Sequence, residues 1–278
     1  SNLQLIFLFA HSRHFLLTNL LILFIFAKKS EMNDLKILDL TPENIGEYGV
    51  CGYKDVHKHK ELRNKIDWYN EFYLKGLRIK AAISESGGYQ GMIEYIPGVF
   101  AHRPVNAAGY LFIHCVFVGF KSDFKGKGFA STMIEEVIEE AISQNMSGVA
   151  VVTRKGSFMV DHDIFLKHGF EIVDKAQPDF ELLVFKFDQN SPSPTFKHDI
   201  LGNTQKYQNG VTIIRSVQCP YTEKNVNAML ETAQKKYHLQ TQLIDITDYK
   251  VAQQTPSPFG TFCIILDGEV ISLHPISN

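Results

Sequence analysis

Residues 108–120 form a long apolar run rich in β-branched and aromatic side chains, and it leads into Lys125-Gly126-Lys127-Gly128-Phe129-Ala130. A run of that kind suits a buried central strand. From Phe129 onward the period changes. Phe129, Met133, Ile134, Val137, Ile138 and Ala141 share one helical face, and Glu135, Glu136, Glu139 and Glu140 share the other. A strand that turns over alternating glycines into a helix exposes the helix's first N–H groups, which lack internal partners and carry partial positive charge. Small residues at positions 126, 128 and 130 let an anion such as a phosphate approach the backbone, and Lys121, Lys125 and Lys127 add charge. The same residues also fit a glycine-rich turn with solvated lysines.

The surrounding chain predicts an α/β organisation. Residues 35–40 read as a strand, Thr41-Pro42-Glu43 as a helix start, and 55–75 as a helix. Residues 77–83 and 89–96 read as a hairpin, 148–153 as a buried strand, 157–168 as a helix and 180–187 as a strand. Asn190-Ser191-Pro192-Ser193-Pro194-Thr195 has a linker composition. Beyond it come a strand at 211–217, a helix at 219–237, a strand at 243–246, and a hairpin at 262–266 and 269–273 over Asp267-Gly268. With 278 residues the chain divides into a first domain at 32–190, a linker at 191–209 and a second domain at 210–278.

Residues 1–31 stand apart. Their apolar run is broken by His11, Ser12, Arg13 and His14, which argues against a membrane span. They read as a leader or appended segment ahead of a domain start at Met32, with a membrane-surface helix or a packed helix as alternatives. A formal net charge of −2 argues against a nucleic-acid partner. Cys51, Cys115, Cys219 and Cys263 contain no CxxC pair, which suits reduced thiols in the cytoplasm. No cluster has metal-ligand spacing, so no metal is expected.

The order strand, glycine turn, helix, strand, helix, strand resembles the GNAT N-acetyltransferase superfamily over residues 35–188. The likeness is carried by Lys125-Gly126-Lys127-Gly128-Phe129-Ala130 and by Phe165-Leu166-Lys167-His168-Gly169-Phe170. It implies a mixed central sheet flanked by helices, acetyl-CoA as donor, and an amine of a small molecule or peptide as acceptor. It places the pyrophosphate on the N–H groups of Gly126, Lys127, Gly128, Phe129 and Ala130, beside Lys125. It runs the pantetheine arm along Val118, Gly119 and Phe120. It makes the N–H of Gly119 or Phe120 a candidate oxyanion donor.

Counting back from the loop, His114 falls where several members of the superfamily carry a catalytic glutamate. It is a candidate base, or else a packed core histidine. Glu94 is the alternative base, or else a solvated strand residue. The superfamily's usual acid is a tyrosine at the position of Phe165, so His162, His168, Tyr110 or solvent must replace it. Tyr95, Tyr110, Asp123 and Asp161 are candidate linings for a cationic acceptor. Strand alternation would put Cys115 on the face opposite His114.

Residues 211–222, ending in Cys219-Pro220-Tyr221-Thr222, resemble the active-site turn of thioredoxin-like proteins, with Thr222 where the second cysteine would be. The likeness implies a thiol at a helix N-terminus with a lowered pKa, making Cys219 a possible redox residue. It also matches Ser257-Pro258 to a cis-proline segment. The two-domain arrangement resembles YoaP-type acetyltransferases. An alternative to catalysis is a module that binds CoA or an acyl group, or a thiol-redox module using Cys219.

Overall fold

The computed structural model describes residues 35–84, 88–119, 126–156 and 158–276. The leader at 1–31, and Phe120, Lys121, Asp123 and Lys125, therefore lie outside the described residues. No helix among the described residues is long and apolar enough to cross a membrane.

The first half of the chain builds a seven-stranded sheet ordered β1-β2-β3-β5-β6-β8-β7. The strands are β1 (Leu35–Leu40), β2 (Arg78–Ser84), β3 (Gly88–Pro97), β5 (Tyr110–Val118), β6 (Gly148–Thr153), β7 (Glu171–Ala176) and β8 (Phe180–Lys186), with a short β4 (Val105–Asn106) outside the sheet. Every pair in the sheet is antiparallel except β5 with β6. The helices are α1 (Ile45–Tyr48), α2 (Lys60–Tyr73), α3 (Phe129–Ser143) and α4 (Asp163–Lys167). This is the mixed sheet with flanking helices that the resemblance implies.

Each face of the sheet is covered by a different partner. The apolar stripe of α3 packs on Ile93, Tyr95, Leu111, Ile113, Val149 and Val151. On the other face α2 covers the β1–β3 half, where Leu62, Tyr69 and Phe72 meet Leu40, Ala81 and Met92. The β5–β8 half of that face, with Phe112, Ala150, Leu182 and Val184, shares one core with Ile213, Ile214, Phe262 and Ile264 of the C-terminal part. Each such large apolar side chain contributes about 1.5–3 kcal/mol when fully buried.

The C-terminal part holds a four-stranded sheet ordered β11-β10-β12-β13. Its strands are β10 (Val211–Ser216), β11 (Thr241–Ile246), β12 (Phe262–Leu266) and β13 (Glu269–Ser272), with α5 (Val226–Tyr237) and α6 (Tyr249–Ala252) alongside. β10 is parallel to β11 and antiparallel to β12. Asp267 (φ 47°) and Gly268 (φ 86°) are both left-handed, as a two-residue turn between β12 and β13 requires.

Three expectations change. The helix expected at 157–168 is the short α4. The helix expected at 219–237 is a single 3₁₀ turn, Pro220–Thr222, followed by α5. The peptide before Pro258 is not cis; the cis bond is Gln177–Pro178. The segment 191–209, the expected linker, packs against both parts. Its β9 (Thr195–Phe196) pairs with β4, and Phe196, Ile200 and Tyr207 are buried.

Candidate functional site

β5 and β6 pair from Tyr110–Gly148 to Ile113–Val151 and then part, while β5 stays paired with β3 out to Val118. The parting begins at a bulge. Glu94 opposes Cys115 and Tyr95 opposes Ile113, which leaves His114 as the extra residue of β5. The Gly119 N–H donates to the Gln90 carbonyl at 2.8 Å. Antiparallel alternation therefore turns the backbone groups of residues 115, 117 and 119 toward β3 and those of Val116 and Val118 toward the opening. Of the two candidate oxyanion donors, Gly119 is thereby engaged by β3, and Phe120 lies outside the described residues. A cleft of about 40 Å3 occupies the opening, lined by Arg103, His114, Cys115, Val116, Phe158 and Phe165 among others.

The glycine turn lies at the start of α3. Gly126 (φ 73°) and Gly128 (φ 79°) are left-handed, a conformation that disfavours other residues. The Thr132 N–H donates to the Gly128 carbonyl at 2.9 Å, and no side chain among the described residues caps the helix. Among the described residues none accepts a bond from the N–H groups of 126–130. A Cβ built on Gly126 would meet nothing within 4 Å, so the backbone there fronts open space. These features fit a negatively charged diphosphate.

Glu94 and His114 come together at the bulge, both buried, in a network that the sequence reading did not assemble. Lys65 forms an ion pair with Glu94 Oε2, and Gln218 Nε2 donates to Glu94 Oε1 at 2.7 Å. His114 Nδ1 faces Glu94 Oε1 at 3.3 Å, out of line for a hydrogen bond. Burial alone would raise the Glu94 carboxyl, but the Lys65 ammonium and His114 hold it down to about 2. His114 Nε2 accepts from the His102 N–H at 2.9 Å, which assigns the ring proton to Nδ1. Burial lowers His114 to about 4 despite the carboxylate opposite.

Of the two alternatives at His114, the ring has the packing and backbone bond of a core histidine, and Glu94 is buried rather than solvated. The imidazole lone pair is engaged by a backbone N–H, and the carboxylate is a weak base shared by Lys65 and Gln218. The bulge also corrects the face of Cys115, since the cross-strand partner of Glu94 lies on the same side as Glu94 and His114. The Cys51 thiol lowers Cys115 and is itself raised.

Cys219 behaves opposite to its expectation. Cys219 is half-buried as a residue, yet desolvation of its thiol, followed by the neighbouring Cys115, pushes it up to about 12. The turn after it is too short to act as a helix N-terminus, and Thr222 Oγ1 ties that turn to the Ser216 carbonyl. Iodoacetamide at neutral pH should leave Cys219 unmodified in the folded chain and alkylate it after denaturation, as read by peptide mass spectrometry. Rapid native labelling would contradict the burial argument.

The remaining candidates disperse. Phe165 is buried against Phe170 and walls the cleft. The Tyr110 hydroxyl donates to the Pro192 carbonyl, His162 Nδ1 pairs with Glu181, and His168 Nδ1 donates to the Ile164 carbonyl. The Tyr95 hydroxyl is fully committed to Glu140. None of these four lines the cleft, and neither does Asp161. Asp161, His162 and Asp163 could converge on a cation, but the Glu181 contact already occupies one nitrogen of His162.

Lys65, Arg103 and Gln218 were missed. Lys65 had a signal, because it interrupts the apolar stripe of Leu62, Tyr69 and Phe72 on α2. The C-terminal part closes over the network. The Tyr221 hydroxyl donates to the Cys51 carbonyl at 2.9 Å, and Asn64 Nδ2 donates to Glu223 Oε1 at 2.9 Å.

Comparison with known proteins gives the following likenesses. Residues 240–278 match the YoaP-like family. The chain is 26% identical over 244 residues to the uncharacterised N-acetyltransferase YoaP of Bacillus subtilis, covering 87% of this chain and 94% of the relative. Among solved structures, the GNAT family N-acetyltransferase YhbS of Escherichia coli, in complex with CoA, is 11% identical with a TM-score of 0.38, covering 59% of this chain and 89% of that one. The PaiA N-acetyltransferase of Thermoplasma acidophilum, in complex with coenzyme A, is 15% identical with a TM-score of 0.40, covering 55% and 99%. The chain is thus similar along most of its length to a bacterial protein named as an N-acetyltransferase, and it ends in a YoaP-like segment.

Proposed function

We propose that the chain is an N-acetyltransferase, moving an acetyl group from acetyl-CoA to an amine of a small molecule or peptide by direct attack. One observation carries the reading: the N–H groups of residues 126–130, which find no acceptor among the described residues, lie at the start of α3, next in the chain to a β5 edge that is open beside β6. In this reading Gly126, Lys127, Gly128, Phe129 and Ala130 hold the pyrophosphate, with Lys125 beside them. The edge of Val116 and Val118, continuing to Gly119 and Phe120, takes the pantetheine arm. Bound acetyl-CoA supplies an acyl group already activated as a thioester. The Val116 N–H, facing the opening, replaces Gly119 as donor to the charge that develops on the carbonyl oxygen. The name of the Bacillus subtilis relative, an N-acetyltransferase, supports the same activity.

The chain's other groups act by placement. Glu94, Lys65 and His114 fix the bulge that starts the opening, so they are positioning residues. The acceptor amine gives its proton to water, because no described side chain in the cleft offers a free base. Phe165 has no hydroxyl, and a thiolate whose conjugate acid has a pKa of about 8.5 takes its proton from solvent. The order of the second sheet, with a parallel β10–β11 pair at one edge and the antiparallel β12 and β13 beyond β10, supports the thioredoxin-like reading of the C-terminal part. With its cysteine protonated, that part serves to wall the site. Four unpaired cysteines suit a reducing compartment such as the cytoplasm.

Calorimetry with CoA, followed by release of CoA over an amine panel, tests the proposal. Saturable binding with steady turnover is expected. No heat at millimolar CoA would end the reading, and binding without turnover would favour the non-catalytic alternative.

A further inference from the structure

Arg103 is buried and lines the cleft, yet among the described residues it pairs with no carboxylate. Its Nη1 donates to the His102 carbonyl at 3.0 Å and to Gln218 Oε1 at 3.4 Å, and its Nη2 donates to the His114 carbonyl at 3.3 Å. All three acceptors are neutral. Among the described residues no carboxylate lies within 4.0 Å of the guanidinium. Glu94 is already paired with Lys65, and Arg103 reaches it through Gln218 alone. The other titratable groups around Arg103 are His102, His114, Cys115 and Cys219. Burial lowers both histidines and keeps them neutral, and it holds Cys219 protonated. The Cys51 thiol lowers Cys115, which acts on Arg103 ahead of Glu94, so one carboxylate and one thiol face two buried cations. A buried guanidinium with no carboxylate of its own is costly unless a partner completes it.

We propose that Arg103 recognises a carboxylate carried by the acceptor, so that the acceptor is a free amino acid. This rests on the acetyltransferase reading and names its substrate class. A guanidinium has five donors in a planar fork that matches a carboxylate two-to-two. Arg103 is joined to the His114 carbonyl at the bulge, where the opening begins. Val116, the proposed oxyanion donor, lines the same cleft. A carboxylate held on Arg103 places an amine one carbon away beside the thioester position. The carboxylate neutralises the guanidinium, and the amine remains free to attack.

The test uses the full chain and two readouts. Calorimetry compares L-amino acids with their carboxamides, with and without CoA. Steady-state rates with acetyl-CoA compare the same pairs. The preferred amino acid should lose about 100-fold or more in kcat/KM on amidation, mainly through KM. Arg103→Lys should narrow that ratio to about tenfold while CoA binding stays unchanged. Because the ratio is read on the unaltered chain, a poorly folding variant does not decide the matter. Amides that bind and react as well as acids would overturn the proposal. A preference for a carboxylate-bearing acyl donor such as succinyl-CoA would assign Arg103 to the donor and overturn it too. Failure to bind CoA sinks the acetyltransferase reading instead, and the binding preference for acids over amides still decides Arg103.

Discussion

Gly128→Glu will abolish CoA binding and leave the fold in place. Gly128 is exposed and left-handed at φ 79°, at the N-cap of α3. A side chain there costs about 1–2 kcal/mol of backbone strain, which a domain of this size tolerates. The larger effect is electrostatic. A carboxylate set among the N–H groups of residues 126–130 takes the place of the diphosphate and repels it. Gly128→Ala separates the two contributions, since it carries the strain without the charge and should weaken binding only modestly. Calorimetry reads the affinity and a thermal melt reads the fold. Binding by Gly128→Glu equal to the unaltered chain would mean that the anion sits elsewhere.

Glu94→Gln will give the largest loss of stability of any single polar change. Lys65 has a fully buried side chain, and Glu94 is its sole carboxylate within 4.0 Å among the described residues. Removing one partner of a buried ion pair costs about 3–5 kcal/mol, against a total stability of about 5–15 kcal/mol. The pH dependence follows from the same network. His114 falls to about 4 in the folded chain and Glu94 to about 2, both below their unfolded values. The unfolded chain therefore binds more protons, and stability falls on acidification. The His114 contribution is lost between about pH 6.5 and its folded value, and the Glu94 contribution from about pH 4.3 downward. Urea melts across pH should show both losses in the unaltered chain and no lower one in Glu94→Gln. Curves that run parallel would remove the network from the stability of the chain.

The elements legible in the sequence are those whose periodicity matches their burial. The apolar run that becomes β5, the two-faced pattern of α3 and the Asp267-Gly268 turn all declare themselves, because one face or one dihedral decides them. The glycine turn was legible for the same reason. β7 was not read, since Glu171–Ala176 is an edge strand paired only with β8 and mostly half-buried or exposed. The bulge at His114 was also hidden. One extra residue leaves no mark on composition, yet it puts His114 and Cys115 on one side and starts the opening. The buried network was hidden for a further reason. Glu94, Lys65, Arg103 and Gln218 come from four distant segments, and only the docking of the C-terminal part brings Gln218 to Glu94. Cys219 was misjudged because a helix-terminus argument looks at one turn, whereas burial by the whole interface sets its protonation.

The central claim is that a diphosphate rests on the backbone of the turn before α3 while its thiol arm follows the open edge of β5. Amide NMR during a CoA titration tests it most directly. The account predicts that the amides of Gly126, Lys127, Gly128, Phe129 and Ala130 shift together with those of Val116 and Val118. Shifts confined to the C-terminal sheet, or none at saturating CoA, would contradict it.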